Sequence, residues 1–101
     1  MATKSLQLVL YTEKGSEITP IHREAVGRDG VGQEVFKGHS SVSRLHAMFY
    51  RDNQFWYVED LDSFNGTFLN GEKLQAGKKY PIKNGDTLYL SSSFKLECKI
   101  F

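Results

Sequence analysis

The sequence has little of what characterises secreted, membrane-spanning or metal-binding chains. Its single cysteine, Cys98, cannot form an internal disulfide or a thiolate metal site. No apolar run approaches the roughly 20 residues that span a bilayer, and the N-terminal segment lacks the apolar block of a signal peptide. We therefore expect an intracellular, cytoplasmic protein with no membrane partner.

An excess of charge of one sign is also missing. Lysine and arginine total 13 against 12 acidic residues, a net charge of +1. Such a chain has no global field that would attract a nucleic acid or an anionic membrane. We expect no nucleic-acid partner, with a weak local contact through Arg23, Arg28 and Arg44 as the remaining alternative.

The third absence is that of helical periodicity. No apolar repeat with a helical period persists, whereas turn signals recur about every 8 to 12 residues, which favours an all-β antiparallel sandwich. With 101 residues, 40% of them hydrophobic, the chain has the size and composition of one globular domain. We expect a single domain over residues 1–101 and a monomer.

Short alternating segments bounded by turn residues predict the strands. Pro20 places the second strand at a sheet edge or ends its pairing, because proline has no N–H to donate. Asp52-Asn53 would join the central hairpin, and Phe94, Leu96, Cys98 and Ile100 would share one face. The predicted strands lie at residues 6–11, 16–21, 24–27, 34–37, 46–51, 54–60, 87–90 and 94–101.

Residues 60–71 form the most unusual segment because they contain two Asn-Gly steps. Asn65-Gly66 and Asn70-Gly71 are expected to supply the positive φ angles of tight turns, and Asn84-Gly85 is a third such step. Short polar side chains in this segment can bond the backbone and direct free N–H groups towards an anion. The residues concerned are Asp62, Ser63, Asn65 and Thr67.

Two further polar loops carry groups that complement this segment. Arg28 offers a planar guanidinium for a phosphate, and Ser43 offers a hydroxyl donor. Together with the N–H groups around Asn65, they would satisfy the oxygens of a dianion if the three loops converge.

Four motifs in order resemble the forkhead-associated (FHA) domain family. They are Gly27-Arg28, Ser43-Arg44-x-His46, Asn65-Gly66-Thr67 with Asn70-Gly71, and Asn84-Gly85-Asp86. The resemblance covers a core motif of residues 26–90. It implies an SMAD-like, two-sheet antiparallel β-sandwich of about eleven strands, whose loops at one end bind phosphothreonine peptides.

The resemblance also implies roles for individual residues. Arg28 and Ser43 would bind the phosphate, and Arg44 would add charge nearby. Asn65 would bond the peptide main chain, next to Phe64, which stands where the family often has a small polar residue. The residues implied to support the site are Gly27, His46, Gly66 and Thr67.

Enzymatic functions are poorly supported by the sequence. His39 and Ser40 lie in a segment that lacks the second glycine of a nucleophile elbow, and residues 27–32 have the wrong spacing for a dinucleotide fingerprint. The three histidines show no metal-ligand spacing. We expect a non-enzymatic module without cofactor or metal that docks phosphothreonine proteins, in Ser/Thr kinase signalling.

The alternative that stays open is a phosphate-independent binding module. It would use the same loops, with the ring of Phe64 as the anchor for an unphosphorylated partner, because exposed aromatic residues often carry interface energy.

Overall fold

The computed structural model describes residues 6–101, which form two antiparallel sheets packed into a sandwich. The described residues contain ten strands, β1 (Leu8–Thr12), β2 (Glu17–Ile18), β3 (Glu24–Val26), β4 (Ala47–Arg51), β5 (Trp56–Asp60), β6 (Thr67–Leu69), β7 (Glu72–Lys73), β8 (Lys79–Ile82), β9 (Thr87–Leu90) and β10 (Lys95–Ile100), and one helix, α1 (Gln33–Phe36). The predicted all-β, two-sheet sandwich is confirmed, with ten strands against about eleven expected. No helix in this part of the chain is long and apolar enough to cross a membrane.

Both prolines of the chain lie in or next to a strand at the edge of a sheet. The larger sheet has six strands in the order β2-β1-β10-β9-β6-β7, and the smaller has four in the order β3-β4-β5-β8. Pro20 follows the edge strand β2, and Pro81 lies within the edge strand β8. An edge position suits proline because only one side of an edge strand needs its N–H groups for pairing.

The core lies between the two sheets and is built from alternate residues of both. The predicted apolar face of the last strand is confirmed, since Leu96 and Cys98 are fully buried and Ile100 packs against the core. Burial raises the pKa of the Cys98 thiol to about 12, with smaller contributions from Asp86 and Glu97. The thiol is therefore protonated at neutral pH and behaves as a small apolar side chain.

The prediction of a strand at residues 34–37 is wrong, because this segment forms the single helical turn α1. Gly32 begins the turn with φ of 85°, and its carbonyl accepts the N–H groups of Val35 at 2.8 Å and Phe36 at 3.2 Å. The turn inserts Phe36 fully into the core, where its ring meets that of Phe94 at 5.0 Å. Tertiary burial of one aromatic side chain outweighs the alternating local pattern here.

Other strands begin or end at residues that differ from the predicted ones, because the pairing partner sets where a strand ends. The strand expected at 16–21 shortens to Glu17–Ile18, which pairs with β1 only through Tyr11 and Leu10. The central hairpin was predicted correctly around its turn at Asp52. Strands β6, β7 and β8, of two to four residues each, were not predicted.

Candidate functional site

The register of the four-stranded sheet brings three loops to one end of the sandwich. Val26 at the end of β3 pairs with Ala47 at the start of β4, and Ala47 pairs with Asp60 at the end of β5. The loops of residues 27–32, 37–46 and 61–66 therefore begin or end at neighbouring strand ends. We call these three the apical loops.

Gly27 lies against the backbone of the second apical loop. A Cβ at this position would stand 2.4 Å from the carbonyl oxygen of Arg44 and 2.7 Å from that of Ser43. Just beyond, the Arg28 N–H donates to the Ser43 carbonyl at 3.2 Å, and the Asp29 N–H donates to the Arg44 carbonyl at 2.8 Å. Because the obstructing atoms belong to the backbone, any side chain at position 27 would separate the two loops.

The Arg28 side chain is held by the same loop. It is half-buried, and its Nε–H donates to the carbonyl of Val42. A guanidinium has five N–H donors, so this bond fixes the group while leaving the donors on its two Nη atoms for a ligand. Preorganisation of this kind lowers the entropy lost when an anion binds.

Two hydrogen bonds connect the second and third apical loops. The Ser43 Oγ accepts the N–H of Phe64 at 3.0 Å, and the Asn65 Nδ2 donates to the carbonyl of Ser41 at 2.9 Å. Because Ser43 acts as an acceptor in this bond, its own O–H can donate elsewhere. Asn65 likewise keeps its Oδ1 and a second N–H for an external partner.

His46 connects the same two loops from beneath. It is fully buried; its Nδ1 accepts the N–H of Ser43 at 3.0 Å, and its Nε2 lies 2.8 Å from the carbonyl oxygen of Gly66. An acceptor Nδ1 requires the neutral ring with the proton on Nε2, which donates to Gly66. Burial lowers the pKa of His46, although the Gly66 carbonyl and the charge of Asp60 act in the opposite direction.

Asp60, which the sequence reasoning did not select, anchors the third apical loop. This buried carboxylate accepts the Thr67 hydroxyl at 2.6 Å, the Ser63 hydroxyl at 2.5 Å and the Ser63 N–H at 3.1 Å. The Ser63 Oγ in turn accepts the Gly66 N–H at 3.0 Å. The available signal was an acidic residue ending a strand with a serine three positions later, a spacing that suits a side-chain-capped turn.

The structure thus brings Arg28, Ser43 and Asn65 into one connected group of loops. The geometry does not provide a catalytic pair, because both nitrogens of His46 bond backbone groups and the Ser43 Oγ bonds Phe64. Nor does any group of three or more histidine, cysteine or acidic side chains among residues 6–101 form a metal site. The arrangement presents hydrogen-bond donors suited to an anion.

Comparison with known families agrees with this geometry. The family model of the FHA domain matches residues 25–91, which contain all three apical loops. The chain belongs to the FHA domain family. FHA domains are known as phosphopeptide-binding modules.

Two curated relatives extend the similarity beyond the matched segment. The FHA domain is 34% identical over 96 residues to the probable E3 ubiquitin-protein ligase dma1 of Schizosaccharomyces pombe, covering 87% of this chain and 36% of that protein. It is 33% identical over 98 residues to Smad nuclear-interacting protein 1 of Mus musculus, covering 78% of this chain and 26% of that protein. The chain therefore spans about a third or less of these relatives.

Solved structures share the fold at lower sequence identity. One, from a study of phosphothreonine-dependent FHA domain interactions, has a TM-score of 0.74 and 21% identity, covering 94% of this chain and 97% of that one. Another, the FhaA FHA domain complexed with the intracellular domain of Rv3910, has a TM-score of 0.71 and 24% identity, covering 94% and 100%.

Two residues of this FHA domain stand out from the apical loops into solvent. The side chain of Arg44 is 77% exposed, and its Nε lies 4.0 Å from the Asp29 carboxylate. Phe64 is 92% exposed at the tip of the third loop. Neither side chain is needed to hold the loops together, so both are available for contact with a partner.

Proposed function

We propose that this FHA domain is a phosphothreonine-dependent protein-interaction module whose apical loops dock a phosphorylated segment of a partner protein in Ser/Thr kinase signalling. The observation that carries the proposal is the connection of the Arg28, Ser43 and Asn65 loops, through the Phe64 N–H to Ser43 Oγ bond and the Asn65 amide bond to Ser41. That connection leaves donors of all three side chains available to one ligand.

In this proposal the phosphate supplies most of the affinity. The Arg28 Nη groups and the Ser43 hydroxyl donate to its oxygens, and the exposed Arg44 adds a positive charge. Each charge-assisted hydrogen bond contributes roughly 1.5 to 3 kcal/mol, so a few of them reach the ~8 kcal/mol of micromolar binding. The supporting residues Gly27, His46, Gly66 and Thr67 act by holding the loops in place.

The peptide main chain and the threonine methyl group then refine recognition. Asn65, fixed to Ser41 through one amide proton, is placed to bond the peptide backbone with its remaining groups. Selectivity for phosphothreonine over phosphoserine would come from contact with one methyl group, which contributes at most about 1 kcal/mol. Phe64 would contact residues that flank the phosphate.

Calorimetry on the Arg28→Ala variant tests the phosphate role. We expect phosphothreonine-peptide affinity to fall at least about tenfold, or 1.4 kcal/mol, because a charged donor is removed. Lys99→Gln is the matched control, since it removes one positive charge from an exposed site on β10. Unchanged affinity in Arg28→Ala would remove Arg28 from the site, and a screen of an oriented phosphopeptide library would supply the peptides.

A second candidate function rests on the 92% exposure of Phe64. The same loops could bind an unphosphorylated protein, with this ring as the anchor. Matched threonine and phosphothreonine peptides from the library screen separate the two functions. Equal affinity for both forms would favour the phosphate-independent function and contradict phosphate recognition.

The proposal treats residues 1–101 as one binding domain with its core motif at residues 26–90, acting as a monomer inside the cell, without a cofactor. Its partner is a phosphothreonine protein rather than a nucleic acid or a membrane. The relatives whose names state a ligase activity are much longer than this chain, so any such activity belongs to those whole proteins.

A further inference from the structure

A basic and aromatic surface lies on the outer face of the four-stranded sheet, away from the apical loops. It surrounds an open concavity of about 610 Å³. Tyr50 of β4 and Tyr57 of β5 are directly opposite each other at its centre. We call this surface the Tyr50 face, and the residues that line it are His22, Arg23, Tyr50, Arg51, Asp52, Tyr57 and Lys79.

The cations of the Tyr50 face are not neutralised by carboxylates. Across residues 6–101, the ion pair within 4.0 Å is that of Arg44 with Asp29, so Arg23, Arg51 and Lys79 have none. Two acidic side chains lie at the same face, Asp52 in the lining of the concavity and Glu59 beside Tyr50, and both bond groups other than these three cations. Glu59 accepts the Tyr50 hydroxyl, and Asp52 accepts the N–H groups of Gln54 and Phe55 and the Tyr57 hydroxyl.

Two of the donors are held in position. The Lys79 ammonium lies 4.0 Å from the centroid of the Tyr50 ring, a cation–π contact that restrains the side chain without using its charge. The Nδ1 of His22 accepts the N–H of Arg51 at 2.8 Å. The neutral His22 ring therefore carries its proton on Nε2, which is left as a donor on an exposed side chain.

Arg23 occupies a strained position in the backbone. The Glu24 N–H donates to the Ile21 carbonyl at 3.0 Å, which closes a turn with Arg23 at its third position and φ of 67°. Glycine or asparagine is the usual residue at such a place, because an ordinary side chain is strained there. An arginine in a strained conformation beside two other free cations points to a use for its guanidinium.

From these observations we propose that the Tyr50 face binds an acidic, carboxylate-rich segment of a partner protein. Three free cations and the His22 donor complement carboxylates, and the two tyrosine rings supply contact area for the attached side chains. A carboxylate-bearing protein segment is favoured over a nucleic acid as the occupant. The net charge of +1 agrees, because it provides no general attraction for polyanions.

The Tyr50 face is separate from the proposed phosphate site. Strand β4 starts at Ala47, next to the apical loops, and Arg51 at its far end is about 13 Å further along at roughly 3.3 Å per residue. One partner could therefore occupy both surfaces. The inference does not depend on phosphate recognition, since its ligand is a carboxylate and its centre, Tyr50 and Tyr57, lies on the outer face of the sheet.

A titration with unphosphorylated peptides tests the proposal by itself. Hexaglutamate peptide is added to the isotope-labelled chain at low salt, with hexaglutamine as the uncharged control, and amide shifts are followed by NMR. We expect hexaglutamate alone to shift the amides of the Tyr50 face, and the effect to weaken with salt because the contacts are exposed. Shifts centred on Arg28 and Ser43 would overturn the proposal, because the acidic peptide would then occupy the apical loops.

Variants separate binding from folding. Arg23→Gly removes the guanidinium at a position where glycine suits the backbone, so the unfolding midpoint should not fall while affinity drops roughly threefold to fivefold. Lys79→Gln should weaken binding similarly, whereas Lys99→Gln on the other sheet removes the same charge without effect.

Equal losses in all three variants would show a nonspecific charge effect and overturn the proposal. Tighter binding of single-stranded DNA or of anionic vesicles at the Tyr50 face would overturn the choice of occupant.

Discussion

Two Asn-Gly steps five positions apart adopt different conformations for different reasons. Asn70 and Gly71 have φ of 52° and 85° and join β6 to β7 as a two-residue hairpin, with Leu69 paired to Glu72. At the other step only Gly66 has a positive φ, of 89°. Both residues of each step were expected to have positive φ angles. This holds for Asn70 and Gly71, but at the other step it holds for Gly66 and not for Asn65.

The difference arises from what holds each turn. The hairpin turn has the two positive φ angles that a tight hairpin with right-handed strand twist requires, and Asn70 also bonds Thr87 of β9, through its N–H at 2.8 Å and its Oδ1 at 3.0 Å. The Asn65-Gly66 turn is held from outside: Asn65 bonds Ser41, and the Gly66 carbonyl accepts from His46 and, at 2.8 Å, from the Ser91 N–H. Both turns therefore have tertiary contacts, but of the two only the turn proposed to bind a ligand is held by residues of another apical loop, Ser41 and His46.

Asp60→Asn should have the largest effect on stability, because Asp60 anchors the loop that contains the Asn65-Gly66 turn. The change removes a charged acceptor from the Ser63 and Thr67 hydroxyls, so we expect the free energy of unfolding to fall by about 2 to 3 kcal/mol in urea titrations. Asp62→Asn is the matched control, because Asp62 is exposed, and its effect should stay within about 0.5 kcal/mol. Equal effects of the two changes would contradict the anchoring role of Asp60.

Acidification should weaken the same turn through His46. Its pKa is lowered by burial, so below the ordinary value of 6.5 the unfolded chain takes up a proton that the folded chain does not. Stability is then complete above pH 6.5 and falls as the pH drops towards the lowered pKa, by up to about 1.4 kcal/mol per pH unit. Urea unfolding at pH 7.5 and 5.5 measures the loss.

NMR of the His46 ring provides the direct check on that pH effect. The ring should be neutral, with the proton on Nε2, at pH 7.5, and the midpoint of its titration should lie below 6.5. A ring that already titrates at pH 6.5 or above would contradict the assignment, and the hairpin turn at Asn70-Gly71 should show no change over the same range.

The same contrast explains how far the sequence predicts this molecule. The hairpin around Asp52 and the buried face of β10 follow from alternation alone, because each strand is long enough for its pattern to be unambiguous. Helix α1 and the two-residue strand β7 are too short for a local pattern, and long-range contacts decide them. Asp60 was missed although its spacing to Ser63 is a local signal, and its bond to Thr67 forms only when the loop closes.

Gly66→Ala and Gly71→Ala test the two turns with the same substitution and should have smaller effects on stability than Asp60→Asn. Both glycines have positive φ, so each change should lower the free energy of unfolding by about 1 kcal/mol. A Cβ at Gly66 would also stand 2.9 Å from the Lys73 Cε, whereas nothing lies within 4 Å at Gly71. The Lys73 side chain can move aside, so the difference comes from position: Gly66 lies in an apical loop and Gly71 does not, and calorimetry should show weaker phosphopeptide binding for Gly66→Ala only. Equal binding losses would mean that the hairpin turn belongs to the site as well.

Phe64→Ala should have the smallest effect on folding and decides between the two candidate functions. Because its ring is 92% exposed, its loss should change the free energy of unfolding by less than about 0.5 kcal/mol. Phosphopeptide affinity should fall only about threefold, less than for Arg28→Ala, if the phosphate supplies most of the binding energy. Phe55→Ala is the control, as another exposed ring, in the turn between β4 and β5. A loss larger than that of Arg28→Ala would make the aromatic ring the principal anchor, and the apical loops would then be a surface for unphosphorylated partners.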